Sequence, residues 1–497
     1  MSAIPAGGTI AGIPTRFDFR AELPDLSEAR RVHLLNVAGS GVSRAARLLA
    51  ARGVAVSGSD PADLPVLAEL RAAGIDAQVG WDPARVADAD AVVVSSATKE
   101  EVPELQEARR RGLPVLHQAQ AITLATQGRR RVVVAGANGK TSTSALVTAA
   151  LRAGGRDCGY AIGAALADTG LNAEPGTAPE FVIEGDESDG SFVGYRPEVA
   201  VLTNVRPDHL DLYGDYATVQ RAYDEFLDTV PDGGTLVVCT DDPGARTAAD
   251  RQRDRLRVLG YGFEDHSAEA GPGGPELLLS HPNHQGMEWE CVLQDRISGV
   301  TLDLKLTVPG RHNLLNAAAA YAVAVHAAAD PAPRPAEPVL EGLRAFGGAS
   351  RRFQVRGEAG GVVVVDDYAH NADKVHAVVA TGAALAHEQG RRVVVAFQPH
   401  LYSRTRDFAA GFAAGLDAAD HVLLLPVFGA REEPIEGVGS ALIGDLLTTG
   451  RQDLGSLDEL PAAVAELARP GDLVLLVGAG SITTAAGPVL EALGQAR

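Results

Sequence analysis

Short apolar runs, each closing in a turn and followed by a helical stretch, recur from one end of this chain to the other. Residues 32–37 lead through a glycine-containing turn into an Ala/Leu-rich stretch ending near Arg52, and residues 54–57 and 91–95 repeat the pattern. It restarts at 131–135 and runs through 181–184, 199–203 and 235–239; a third set holds 362–366, 393–397, 421–425 and 473–477. Runs that are apolar at every position must be covered on both faces, which means parallel sheets between helices. Three restarts predict three α/β domains, and 497 residues at about 150 per domain agree. The breaks fall near Gln127-Gly128 and after the proline-rich stretch 330–338, giving domains over 1–128, 129–340 and 341–497. Residues 1–25 read as a loose extension and the Gly/Pro/His-rich stretch 271–286 as a surface loop.

Composition excludes several classes. Against 44 Lys and Arg stand 64 Asp and Glu, a net charge of −20. That disfavours nucleic acid and anionic membrane as partners, because both need clustered cations. Three scattered cysteines, Cys158, Cys239 and Cys291, lack metal spacing and read as reduced buried thiols. With no export signal in the glycine- and proline-containing start, a cytoplasmic protein is expected. The longest apolar run, 317–329, is too short to span a bilayer and contains His326.

The strongest chemical motif is Gly136-Ala-Asn138-Gly139-Lys140-Thr141-Ser142, between an apolar run and a helix. Glycines let backbone amides approach phosphate, the helix start adds its dipole, the lysine brings a point charge and the threonine hydroxyl suits Mg²⁺. Lys140 is expected at an exposed helix start. The next run ends in Glu184-Gly-Asp186-Glu187-Ser188-Asp189, where carboxylates at a parallel strand's C-terminal end meet a ligand crevice and suit a hard cation. Asn204-Val-Arg-Pro-Asp208-His209-Leu-Asp211 follows another run, and its His and Asp could complete a metal site or be structural. Gly310-Arg-His-Asn313-Leu-Leu-Asn316 opens an alanine-rich helix. Arg351-Arg352 could clamp phosphate or form a plain surface turn. Further on stand Asp366-Asp367-Tyr368-Ala-His370-Asn371, Gln398-Pro-His400-Leu-Tyr-Ser-Arg404 and Gly478-Ala-Gly480-Ser481. Near the start, Asn36-Val-Ala38-Gly39-Ser40-Gly41-Val-Ser-Arg44 is a weak dinucleotide-type turn whose third glycine is Arg44, with Asp60 at ribose spacing.

Taken in this order, the motifs resemble the Mur ligases over about residues 30 to 490. The resemblance implies a Rossmann-like first domain, a central P-loop-type ATPase domain and a Rossmann-like third domain. It implies ATP-dependent amide ligation through an acyl phosphate, and DESDGSF and FQPHLYSRT are similar to the branch that joins L-alanine to UDP-N-acetylmuramate. Later branches carry a lysine downstream of the DHLD motif, where this chain has Tyr223. By resemblance, ATP would lie on Gly136, Asn138, Gly139, Lys140, Thr141 and Ser142. Mg²⁺, with Mn²⁺ an alternative, would be held by Thr141, Glu184 and His209. Asn313 or Asn316 would contact adenine, Arg351 or Arg352 the γ-phosphate, and Asp366 or Asp367 the ribose. Tyr368, His370 and Arg404 would face the amino acid or the muramyl carboxylate. Gly39, Ser40, Gly41, Asp60, Ser95, Ser96 and Ser188 would line the UDP-sugar acid. Lys140, His209, Arg352, His370 and Arg404 would carry the catalysis, on small-molecule partners, in a monomer or homodimer. A relative joining a different acid and amine, and a non-catalytic nucleotide binder, are the alternatives. Departures fall at Asn36 and Ala38 in the first turn, at Ala137-Asn138 in the phosphate loop, at Asn371-Ala372 and at Ser481, and they touch the parts that read the substrates.

Overall fold

A computed structural model describes residues 7–24, 29–266, 274–328, 334–430 and 432–495, the side chain of Asp211 apart. The chain divides into two compact units. The first holds residues 1–282, 290–305 and 314–346, and the second holds 283–289, 306–313 and 347–497.

Two large sheets and one two-stranded sheet are found in unit 1. Five parallel strands run in the order Asp76–Val79, Ala55–Asp60, Arg31–Leu35, Ala91–Val94 and Val115–His117. The strand order reverses at Arg31–Leu35, so the turn after it opens into the crevice where such sheets bind ligands. The second sheet has ten strands, seven of them in the parallel block Gly159–Ala161, Glu180–Glu184, Arg130–Ala135, Val199–Leu202, Thr235–Cys239, Arg257–Phe263 and Leu277–Gln285. Here the reversal falls at Arg130–Ala135, directly before the Gly136–Ser142 loop.

The unit 2 sheet runs Gln354–Ala359, Val362–Asp367, Leu473–Val477, Val393–Phe397, His421–Leu424 and Gly450–Asp453, antiparallel only at its first pair. Successive residues feed opposite faces. Val365, Val395 and Leu475 enter one core, while Val364, Val394 and Leu476 enter the other. That is why these runs are apolar throughout, each such side chain contributing about 1.5–3 kcal/mol on burial.

Three expectations are corrected. The start of the chain is folded: Thr9–Ile10 pairs with Ile13–Pro14, and Ile10, Phe17 and Phe19 are buried. Arg16 donates to Thr98 O at 2.5 Å and to Glu100 at 2.6 Å, and both phenyl rings pack on His117. Residues 1–6 lie outside the described ones. The stretch 271–286 is chiefly a strand, Leu277–Gln285, whose Leu277 and Leu279 are fully buried; residues 271–273 lie outside the described ones. The helix Ala336–Ala345 begins inside the proline-rich stretch, with Pro338 in its first turn, where a missing N–H costs nothing; residues 330–333 are outside the described ones.

The three cysteines are free and buried. Among the described residues, no helix is long and apolar enough to cross a membrane. The apolar run ends in a π-helix, Ala322–Ala327, whose buried His326 lies 2.7 Å from Asp295, itself accepting from Tyr321 at 3.0 Å.

Candidate active site

The Gly136–Ser142 loop can form only with glycine at its two turns. Gly136 has φ 140°, and a Cβ there would meet Thr203 Oγ1 at 2.0 Å. Gly139, at φ 84°, caps the helix Lys140–Ala153, and a Cβ would approach Asn316 Oδ1 to 3.0 Å. Neighbouring strand ends pin the loop. Asn138 N donates to Asn204 Oδ1 at 2.9 Å, and Asn204 Nδ2 returns a bond to Asn138 O at 2.9 Å. Asn316 accepts from Thr143 at 3.0 Å, so it braces the helix behind the loop. Asn313 is placed in unit 2, where it donates to Pro309 O at 2.7 Å. Ser142 lies half-buried in the helix's first turn.

Lys140 is not exposed as expected. Its side chain is 13% accessible and its ammonium donates to Gly136 O at 2.7 Å and Glu187 at 2.8 Å. Burial alone would lower its pKa, but Glu187 and Asp186 outweigh this and raise it. The lysine is therefore charged, with Glu187 standing where phosphate oxygens would otherwise balance it.

Two carboxylate groupings flank this lysine. Glu184, at the end of its strand, accepts from Thr141 Oγ1 at 2.9 Å and from Gly163 N at 2.6 Å. Glu187, Asp208 and His209 form the other, with one ligand atom from each lying within 4.8 Å of the rest. His209 takes φ 53° and its Nε2 is 3.8 Å from Glu187. Of the three residues expected around a metal, the structure thus joins Thr141 to Glu184 and places His209 with Glu187. Tyr213 donates to Glu187 O at 2.5 Å. Tyr223 is buried, its hydroxyl has no hydrogen-bond partner among the described residues, and burial followed by the charge of Glu187 raises its pKa strongly.

The first-domain turn keeps its shape despite its side chains. Asn36 adopts φ 56°, which Asn tolerates better than other residues with a Cβ, and its Oδ1 accepts from Thr98 at 3.0 Å. Asp60 is engaged by the turn: it accepts from Ala38 N and Ala62 N, each at 3.2 Å. Gly39 is the N-cap of the helix Ser40–Ala51, and at Gly41 a Cβ would strike Gln118 at 2.0 Å. Ser40 donates to Gly163 O at 3.0 Å, tying this turn to the Glu184 strand end. Ser96 donates to Asp189 at 2.7 Å, and His117 lies 3.2 Å from the same carboxylate. Burial would raise the Asp189 pKa, but His117 and the hydrogen bonds of Ser191 and Ser96 hold it well below the usual range. Ser95 N donates to Thr98 Oγ1 at 3.2 Å, and Ser188 N to Asp186 at 3.0 Å.

In unit 2 the expected residues gather at the ends of Val362–Asp367, Leu473–Val477 and Val393–Phe397. Arg351 and Arg352 lie over the Tyr368 ring, 4.6 and 5.2 Å from its centre. Arg351, at φ 57°, donates to Gly478 O at 2.6 Å. Asp367 accepts from Phe353 N at 2.7 Å and Ala369 N at 2.8 Å, and burial raises its pKa against Arg352. Asp366 is fully buried and accepts from Arg356 at 3.2 Å and from Thr483. His370 Nδ1 is 2.9 Å from Tyr368 O, so it must carry a proton there, leaving Nε2 as the acceptor. Burial, then Lys374 and Arg404, push the His370 pKa well below its ordinary value. Asn371 is a helix cap, accepting from Lys374 N at 2.9 Å, and Ser481 accepts from Gln398 at 3.3 Å.

Known proteins share this arrangement. Residues 31–130, 134–324 and 351–480 match the models described as "Mur ligase family, catalytic domain", "Mur ligase middle domain" and "Mur ligase, glutamate ligase domain". The UDP-N-acetylmuramate--L-alanine ligase of Arthrobacter sp. (strain FB24) is 46% identical over 95% of this chain and 97% of its own. The chain belongs to the Mur ligase family.

A second relative of the same name, from Kineococcus radiotolerans, is 47% identical over 96% of this chain and 98% of its own. Among solved Mur ligases, UDP-N-acetylmuramate-alanine ligase MurC from Thermotoga maritima has a TM-score of 0.76 at 26% identity, covering 93% of this chain and 98% of its own. The murein peptide ligase mpl of Psychrobacter arcticus shares the fold, with a TM-score of 0.67 at 23% identity over 94% and 99%.

Sequence reasoning had placed Glu187, Asn204 and His400 in motifs without giving them individual roles, and had not singled out Tyr213 or His117. His400 stacks on Phe428 with ring centres 5.9 Å apart and lies 6.1 Å from the His370 ring. Glu187 had a usable signal, since a buried phosphate-loop lysine needs a counter-charge. His117 had none, because its partner Asp189 is 72 residues away.

Proposed function

We infer that this Mur ligase joins L-alanine to the carboxylate of UDP-N-acetylmuramate at the expense of ATP, a step of peptidoglycan precursor synthesis. The observation that carries the reading is the near end-to-end match to relatives bearing that activity in their names. ATP and a nucleotide sugar as substrates put its work in the cytoplasm.

A carboxylate is a poor electrophile and needs activation. Its oxygen attacks the γ-phosphorus of ATP, ADP leaves, and an acyl phosphate forms. The alanine amine then adds to the acyl carbon and phosphate departs. No protein nucleophile is required, so catalysis is positioning and charge neutralisation. Lys140 exchanges Glu187 for phosphate oxygens, and the amides of Gly139, Lys140 and Thr141 cradle them. Arg351 and Arg352 supply planar donors for anionic oxygens. Neutral His370 presents Nε2 as an acceptor for a proton of the incoming ammonium, and Arg404 suits the amino acid's carboxylate. Ser95, Ser96 and the Gly39–Gly41 turn take the UDP-sugar.

The hydroxyl of Thr141, the carboxylates of Glu184, Glu187 and Asp208 and the imidazole of His209 are a hard oxygen-and-nitrogen donor set, which fits Mg²⁺ or Mn²⁺. Such a cation, when bound, neutralises phosphate charge. Thr141 and Glu184 would hold it, with His209 and its carboxylate neighbours as further donors.

ADP release should require UDP-N-acetylmuramate, a small L-amino acid and a divalent cation together. Turnover in excess chelator, or with a D- or bulky amino acid but not L-alanine, glycine or L-serine, would overturn the reading.

A further inference from the structure

Arg44 stands where a dinucleotide-type turn would carry its third glycine, the residue that lets helix and strand pack closely. It is the fifth residue of the helix Ser40–Ala51 and only 7% exposed. A guanidinium so buried normally satisfies its five donors. Among the described residues this one makes a single long contact, Nη1 to Ala161 O at 3.5 Å, and its Nε is buried without a hydrogen-bond partner.

Its surroundings show what it faces. After burial, the Arg44 charge is the largest influence on the buried Tyr195 phenol, followed by Asp189, Asp186 and Glu184. With Nη1 at Ala161 O, the last residue of a strand paired with Glu180–Glu184, Arg44 sits where the first-domain helix meets the acidic strand ends of the middle domain. Helical side chains lean toward the helix N-terminus, so Arg44 covers the turn of Ser40 and Gly41. Ser40 bonds Gly163 O, Gly163 N bonds Glu184, and Glu184 accepts from Thr141. The seam thus leads from the helix start to the phosphate loop, with Arg44 alongside it. A crevice lined by carboxylates can admit an acid bearing a diphosphate only if cations accompany them, and Lys140 is committed to the phosphate loop.

We infer that Arg44 is a further substrate-binding residue, its guanidinium pairing with an anionic phosphate or carboxylate oxygen of the nucleotide-sugar acid. The inference rests on the reading that UDP-N-acetylmuramate is the acid substrate. Arg44→Met keeps the length and apolar stem of the side chain, while Arg44→Lys keeps the charge without the fork.

The test titrates wild type and both variants with UDP-N-acetylmuramate, UDP-N-acetylglucosamine and N-acetylmuramate, alongside steady-state kinetics and melting curves. Arg44→Met should weaken UDP-N-acetylmuramate and raise its KM about tenfold or more, as one lost charge-assisted contact does. Arg44→Lys should recover part of the loss, with the KM for ATP and L-alanine and the melting temperature unchanged. Equal weakening of UDP-N-acetylglucosamine assigns the contact to the diphosphate; weakening confined to the two acids assigns it to the carboxylate. Arg44→Met binding within twofold of wild type would overturn the inference alone, as would a loss shared by all three substrates with a lowered melting point, the mark of a mere strut to Ala161. A wild type that binds none of the three ligands would overturn the underlying reading and this inference with it.

Discussion

The phosphate-loop region of unit 1 and the arginine–histidine region of unit 2 solve the problem of buried charge differently. In unit 1 each of these charges already has a partner: Lys140 has Glu187, Glu184 has the Thr141 hydroxyl and the Gly163 amide, and Asp189 has Ser96 and His117. In unit 2 two guanidiniums share one Tyr368 ring, and His370 is kept neutral among cations. The first region is matched internally and must exchange partners to bind nucleotide. The second sets Arg351 and Arg352 beside both the Tyr368 ring and the buried Asp366 and Asp367, and holds a neutral His370 suited to accepting a proton.

The largest effect should come from breaking the match at Lys140. Lys140→Ala is expected to cut turnover by at least about 10²–10³-fold, the cost of losing one preorganised charge donor. It also leaves Glu187 without its ammonium, so melting curves should show destabilisation that Lys140→Ala/Glu187→Gln relieves without restoring activity. Retention of near wild-type ligation would end the phosphate-loop assignment.

Next is the seam at Asp189. Asp189→Asn should cost about 1–3 kcal/mol at neutral pH, the usual price of disrupting a buried charged hydrogen-bond set. Because the folded Asp189 pKa is depressed, its contribution is present above the unfolded value near 4 and is lost as pH falls through the folded value. Urea midpoints should therefore converge for wild type and variant in strong acid. A constant gap at every pH would show that packing, not charge, holds the seam.

A smaller effect sharpens the unit 2 side. The depressed His370 pKa means that the unfolded chain takes up a proton near pH 6.5 that the folded chain refuses. Wild type should lose stability as pH falls from about 6.5, and His370→Gln should lose less over that window. Parallel decline in the two would mean that His370 is not neutral.

The smallest effect is expected at Asn36→Gly. Glycine suits φ 56° but forfeits the Thr98 hydrogen bond, so stability should shift by about 1 kcal/mol or less. The KM for UDP-N-acetylmuramate should stay within about threefold. A larger change would show that the asparagine contacts substrate.

What could be read from sequence follows the same divide between local and distant causes. The strands were legible because burial on both faces leaves runs apolar at every position, as in 132–135 or 393–397. The phosphate loop was legible because its glycines, lysine and threonine act within seven residues. The pairing of Glu187 with Lys140 spans 47 residues and the contact of Ser96 with Asp189 spans 93, and no local pattern encodes either. Residues 7–24 looked loose because only two short strand pieces and three dispersed apolar side chains, Ile10, Phe17 and Phe19, tie them down. The departures at Asn36 and Asn371 have local structural roles that no motif comparison reveals, one filling a left-handed turn and the other capping a helix.

The most direct measurement supplies ATP, L-alanine and UDP-N-acetylmuramate labelled with ¹⁸O in its carboxylate, and follows the label by mass spectrometry. Activation through an acyl phosphate breaks the bond between the acyl carbon and one carboxylate oxygen. The products should be ADP, UDP-N-acetylmuramoyl-L-alanine and inorganic phosphate carrying one ¹⁸O. Labelled AMP, or no amide product with L-alanine while another acid is turned over, would contradict the account.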